Sequence, residues 1–323
     1  MKLRNKVISI AMLLASFLAA SQPVEMLEAA RNGDAAAQYR VGQILVIGKE
    51  AAHDPVEAIK WFRRAAEQGH AGAQNDLAIG LAMGQAGAPD PEEAAVWFLR
   101  AAENGHAAAQ YNLALTLLKE AGVAQSDEEA VKWFRRAAEQ GHAKAQHNLG
   151  VLLLEGRDVA QDAAEAFKWF GRAAEQGDAL SQLSMGNLLA EGRGVTKDLS
   201  EAFKWYGRAA ERGSAEAQLT VAGMLAIGLG VPQDSVLAAK WNQRAAKQGH
   251  RIAQFTLGLM FADGEGVPQD WERSYFWLSL TGGRNNRAKD IVAKKLTPEQ
   301  RSEIEAKTAV WKPQMEVPKA KTP

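Results

Sequence analysis

The sequence predicts an all-α chain, an α/α superhelical solenoid of seven 36-residue helix-turn-helix repeats with partial repeats capping both ends. Three observations predict it. Trp stands at 61, 97, 133, 169, 205, 241 and 277, each interval being 36 residues. Gln keeps the same step at 38, 74, 110, 146, 182, 218 and 254, and Gly at 33, 69, 105, 141, 177, 213 and 249. Ala is abundant, Pro is sparse and β-branched runs are rare, a bias toward helix. A fixed period between about 20 and 50 residues marks stacked units, none of which buries its apolar face alone. "WFRRAAEQGHAGAQ" (Trp61–Gln74) and "WFRRAAEQGHAKAQ" (Trp133–Gln146) show how closely the copies agree.

The elements follow in chain order. Lys2, Arg4 and Lys6 precede an apolar stretch from Val7 to Ala20, and Ala19-Ala20-Ser21 ends it with small residues. A basic head, a short apolar run and a small-residue exit read as a secretory signal peptide over 1–21, cleaved after Ser21. The apolar run falls short of the roughly 20 residues a spanning helix needs. Membrane contact is therefore expected at most through an uncleaved signal segment, and no cysteine follows to take a lipid. Residues 22–33 read as an N-terminal half-repeat, because "LEAARNGD" (Leu27–Asp34) carries the Ala-Ala and Gly of the full units.

Residues 34–285 hold the seven repeats. Helix A starts near Asp34, His70, His106, His142, Asp178, Ser214 and His250. Three residues after each Gln stand Val41, Leu77, Leu113, Leu149, Met185, Val221 and Leu257. The next position is always Gly or Ala, and the seventh is Leu or Phe261, so one helical face is core. Helix B starts seven residues before each Trp. Its caps are Asp54, Asp90, Ser126, Asp162, Asp198, Asp234 and Asp270, with Glu129, Glu165 and Glu201 placed to complete capping boxes. Gly69 and its equivalents end helix B in the left-handed conformation. Burial of each Trp against neighbouring alanines is expected to carry much of the energy between repeats. After Trp277 the Ala-Ala pair becomes Thr281-Gly282, and two closing helices are expected, Arg287–Leu296 and one opened by Thr297-Pro298-Glu299-Gln300 that ends near Trp311. These make a C-terminal cap over 286–311, followed by a loose tail over 312–323.

Composition narrows the function classes. Lys plus Arg and Asp plus Glu number 38 each, a balance without the basic footprint of a nucleic-acid binder. The absence of cysteine excludes disulfides, Fe–S clusters, thiolate zinc and a cysteine nucleophile.

At the level of motif the chain resembles the Sel1-like repeat family, a relative of the tetratricopeptide repeats. "AQFTLGLMFADGEGVPQDWERSYFWLSL" (Ala253–Leu280) shows the pattern best: Ala-Gln, Leu-Gly, Gly-x-Gly-Val and Trp, the other units adding Ala-Ala after the Trp. "LTPEQ" (Leu296–Gln300) is similar to the way many members end. The Tyr usual in helix A is Leu or Phe here, and the Gly-x-Gly-Val loop is whole only at 192–195, 228–231 and 264–267. The resemblance implies an adaptor or scaffold of bacterial envelopes, signalling or host contact. One secreted branch is linked to penicillin binding and hydrolysis, but it is stapled by cysteine pairs that this chain lacks.

Three polar ladders invite chemistry. His70, His106, His142 and His250 share one repeat position. Metal bonds of ~2.0–2.1 Å cannot be shared by residues on helices roughly 8–10 Å apart. Asp or Ser fills the same slot elsewhere, so the histidines read as helix caps and no metal or other cofactor is expected. The Asp ladder at 54, 90, 162, 198, 234 and 270 reads the same way. Arg64, Arg100, Arg136, Arg172, Arg208 and Arg244 stand three residues before a Glu in five units, reading as solvated i,i+3 pairs rather than an anion ridge. The Gly-x-Gly-Val loops lack the Lys and Ser/Thr of a phosphate loop and read as turns.

A partner is expected on the concave face lined by helix A. Repeats two to four offer Ile79, Tyr111, Leu115, His147 and Val151 side by side, with Asn112 and Asn148 adjacent. An apolar strip with aromatic and amide neighbours suits a peptide or protein segment. The alternative is extra core between successive A helices, and both readings stay open in the sequence. The functional expectation is an exported, non-enzymatic adaptor, periplasmic or secreted, that binds a protein or peptide. The alternative is a cell-wall peptidoglycan hydrolase or β-lactam-binding enzyme.

Overall fold

The computed structural model describes residues 22–48, 53–119, 124–156, 159–282 and 287–316. The signal segment expected over 1–21 lies outside them, as do the loop positions 49–52 and 120–123 and the tail beyond Glu316. The described residues form helices and no strand, in two compact units that divide after Gln161, within the fourth repeat.

In the first unit α1 (Gln22–Arg31) precedes α2 (Ala35–Ile47), α3 (Pro55–Glu67), α4 (Ala71–Ala82), α5 (Pro91–Glu103), α6 (Ala107–Leu118), α7 (Asp127–Glu139) and α8 (Ala143–Glu155). The second unit holds α9 (Ala163–Glu175), α10 (Ala179–Glu191), α11 (Leu199–Glu211), α12 (Ala215–Ile227), α13 (Ser235–Lys247), α14 (Arg251–Asp263) and α15 (Trp271–Leu280). It closes with α16 (Arg287–Ala293) and α17 (Pro298–Ala309). Within each unit successive helices pack on one another up to α15, and α16 and α17 both pack on α15.

The capping ladders act as their spacing implies. Each His at the start of a helix A takes a backbone N–H on Nδ1, His70 from Ala73 at 3.1 Å and His106 from Ala109 at 3.2 Å. Asp34, Asp178 and Ser214 do the same with oxygen. At helix B the caps Asp54 and Asp90 each accept at 2.9 Å. The expected reciprocal bond from the third-position Glu is not what forms. Glu93 and Glu165 instead accept from Trp97 and Trp169 Nε1, at 3.1 and 3.0 Å, while Glu129 and Glu201 pair with Lys132 and Lys204. A donor one turn ahead on the same face holds these carboxylates better than an N–H behind them. The full capping box occurs at Thr297 and Gln300, opening α17.

The repeated Gln is buried throughout and ties helix A to the preceding helix B. Gln74 Nε2 donates to Ala66 O at 3.1 Å, and its Oε1 accepts from Asn104, at the end of helix B of the same repeat, at 3.1 Å. Gln38, Gln110 and Gln218 repeat both bonds. Satisfying both ends of a buried amide makes this position intolerant of other side chains.

Five of the seven repeat Trp are buried, Trp61, Trp97, Trp169, Trp205 and Trp277, while Trp133 and Trp241 are half-buried. The residue after Trp lies deeper still, Phe134 and Phe170 being fully buried. In the first six repeats the Arg three residues after Trp stacks on the ring, at 4.3–4.6 Å from its centroid. That stacking replaces the expected intrahelical Arg–Glu pairs; where Arg208 and Arg244 do bond Glu, it is Glu175 and Glu211 of the preceding unit, at 3.2 and 3.5 Å. The small residue on helix A likewise makes room for a side chain and not for a backbone. A Cβ on Gly42 or Gly186 would collide with the ring of Phe62 or Tyr206.

Candidate protein-binding surface

The strip expected on the A helices lies on α4, α6 and α8 of the first unit. Ile79, Tyr111, Asn112, Leu115, His147, Asn148 and Val151 are all half-buried. The structure brings part of it together through contacts between repeats. Tyr111 lies 4.7 Å from the His142 ring and 5.8 Å from Phe134. Asn112 Nδ2 donates to Asn75 Oδ1 at 3.0 Å, and Ile79 packs on the core of the first unit. Half-burial leaves each of these side chains partly covered and partly open to solvent.

Tyr39, two repeats before Tyr111, makes similar contacts: its OH donates to Asp76 at 3.0 Å and its ring sits 4.5 Å from His70. Burial, with the Asp76 charge behind it, pushes the Tyr39 hydroxyl up to about 12. It therefore stays a neutral donor. Burial lowers the pKa of His106 and of His142, in the second case aided by Lys144 and His106. A neutral imidazole is what a cap needs, since Nδ1 must accept.

Sequence reasoning missed the docking of residues 312–316. Gln314 N donates to Lys247 O at 2.8 Å, and Glu316 accepts from Gln218 Nε2 at 2.9 Å and from Arg244 Nε and Nη2 at 3.0 and 2.9 Å. Three prolines suggested a loose tail; the signal against it was Glu316, a carboxylate with no helical role. Among the described residues no group of three or more His, Asp or Glu is placed to hold a metal, and no helix is long and apolar enough to cross a membrane.

Seven consecutive matches to the Sel1 repeat cover 35–70, 71–106, 107–142, 143–178, 179–214, 215–250 and 251–281. The chain belongs to the Sel1 repeat family. The boundaries of the Sel1 matches fall on the helix A caps described above. Among solved structures the chain is similar to c5321, a protective antigen present in uropathogenic Escherichia coli strains and displaying an SLR fold. That likeness has 27% identity and a TM-score of 0.77, over 92% of this chain and 68% of that one. A Sel1 repeat protein from Oxalobacter formigenes is 34% identical with a TM-score of 0.66, over 77% of this chain and 98% of its own. No curated protein matches. Sel1 repeats generally mediate protein–protein interaction, and their solenoid is typically a non-catalytic scaffold.

Proposed function

We propose that the mature chain, from Gln22 onward, is an exported adaptor, periplasmic or secreted, that binds a protein or peptide on the A-helix strip of repeats two to four. The carrying observation is that Ile79, Tyr111, Asn112, Leu115, His147, Asn148 and Val151 are all left half-buried in a stack whose core positions close almost completely. A partially covered row of apolar, aromatic and amide groups gains most from being covered by a partner. Export is supported by the basic head, apolar run and small-residue exit of residues 1–21. The similarity to a protective antigen agrees with a place outside the cytoplasm.

The test is a crosslinking pull-down from the cell envelope with protein beginning at Gln22, native against Tyr111→Ala/Leu115→Glu. Capture of a partner by the native protein alone, with unchanged helical circular dichroism in the variant, is the expected result. Identical captures from both proteins remove the strip from the function.

A further inference from the structure

The sixth repeat breaks the pattern of the core. The residue after Trp is Phe62, Phe98, Phe134, Phe170 and Tyr206 in the first five repeats and Leu278 in the seventh, but Asn242 in the sixth. Asn242 is only 3% exposed. Its Nδ2 donates to Met260 Sδ at 3.4 Å, and its buried Oδ1 has no partner. An unpaired carbonyl in a core costs its desolvation, and the missing ring forfeits apolar burial as well. Trp241 beside it is half-buried, unlike the Trp of five other repeats. Asn242 lies on α13 and Met260 on α14, so the defect sits at the joint between the sixth and seventh repeats.

The C-terminal segment crosses that same joint. Trp311 is half-buried against a cluster that includes Ala245 and Ala246 of α13, Leu257 of α14 and Trp277 of α15. Pro313 lies against Gly249, in the turn between α13 and α14. Gln314 N donates at 2.8 Å to Lys247 O, one of the carbonyls that the last turn of a helix leaves without a helical partner. Glu316 then bonds Arg244 of α13 and Gln218 of α12. Between the two half-buried anchors, Trp311 and Glu316, residues 312–315 are exposed. The segment is joined covalently to α17 and grips the sixth repeat with its far end. A gap in the core and a bridge on the surface thus meet at one joint.

We infer that residues 311–316 are a latch that holds α14–α17 onto the sixth repeat, across a joint weakened by Asn242. A repeat array is held together by interfaces between neighbours, so it opens first at the weakest of them. With the latch closed the seventh repeat belongs to the continuous stack. With Glu316 released, α14–α17 open together while α9–α11 stay folded. The latch is independent of the strip of repeats two to four.

Hydrogen–deuterium exchange followed by mass spectrometry, on the chain from Gln22 to its C-terminus, tests it. Glu316→Ala removes the charge-assisted bonds to Arg244 and should speed exchange in α14 and α15 about tenfold, leaving α9–α11 unchanged. Adding Asn242→Phe should bring the exchange back to within about threefold of the native rate, because the ring refills the joint. Tyr206 and Met224 hold the places of Asn242 and Met260 one repeat earlier, so an aromatic ring and a Met fit side by side there. Asn242→Leu, copying Leu278, makes the same test with a smaller side chain. Unchanged exchange of α14 and α15 in Glu316→Ala, or a rise spread equally over α9–α17, overturns the latch. Failure of both Asn242 variants to slow exchange in the Glu316→Ala background overturns the weak joint, and the latch with it.

Discussion

Truncation of Phe134 to Ala tests the packing model most directly. Phe134 is fully buried beneath α6, with Tyr111 at 5.8 Å, and its backbone sits in α7. Removing the ring leaves a cavity of roughly 100 Å³, which at about 24 cal/mol per Å³ costs about 2.4 kcal/mol. Lost transfer of the ring adds about 2 kcal/mol, for a total of about 4 kcal/mol. In a unit of this size that lowers the melting temperature by roughly 8–16 °C. Trp133, beside it, is only half-buried, so Trp133→Ala should cost about half as much. Arg136 contributes chiefly its stacking at 4.5 Å, and Arg136→Ala should cost about 0.5–1 kcal/mol. Urea denaturation of the three variants, followed by circular dichroism, gives the order. A Trp133→Ala cost equal to or above that of Phe134→Ala would refute the assignment of the deepest core to the residue after Trp.

Two further outcomes are expected. The folded-state pKa of His106 and of His142 is lowered by burial, so the unfolded chain takes up protons first as pH falls below about 6.5. Stability present above that pH should therefore decline toward the lower folded-state values, and thermal melts from pH 7.5 to 5 should show a drop that His106→Asp/His142→Asp reduces, since Asp already caps at positions 34 and 178. Gly266 has φ +69°, and a Cβ there would stand 2.0 Å from Ser235 O, whereas Gly105 has φ +81° and open space. Gly105→Ala should cost about 1–2 kcal/mol of backbone strain, and Gly266→Ala clearly more, since α13 must also move. Equal costs in urea titrations would show that the loop does not rest on α13.

The period, the helix starts and the core face were legible in the sequence because they depend on local chemistry repeated seven times. A cap needs only its own N–H three residues on, and a core face needs only the 3.6-residue turn, so His70, Asp54 and Leu77 carry their roles in the string of letters. Whatever depends on contact between repeats was not legible. Trp and the Phe after it look alike as apolar letters, and only packing decides that Phe134 faces inward while Trp133 leans out under Arg136. The Arg ladder looked paired with Glu on its own helix, but the ring beneath each Arg and the Glu one repeat away compete for it, and distance in space settles that. Tyr111 and Asn112 read equally as groove or core, because each is shared between a neighbour and solvent. Glu316 is furthest from any local rule: it meets Arg244 72 residues away, and only the folded array brings the two together.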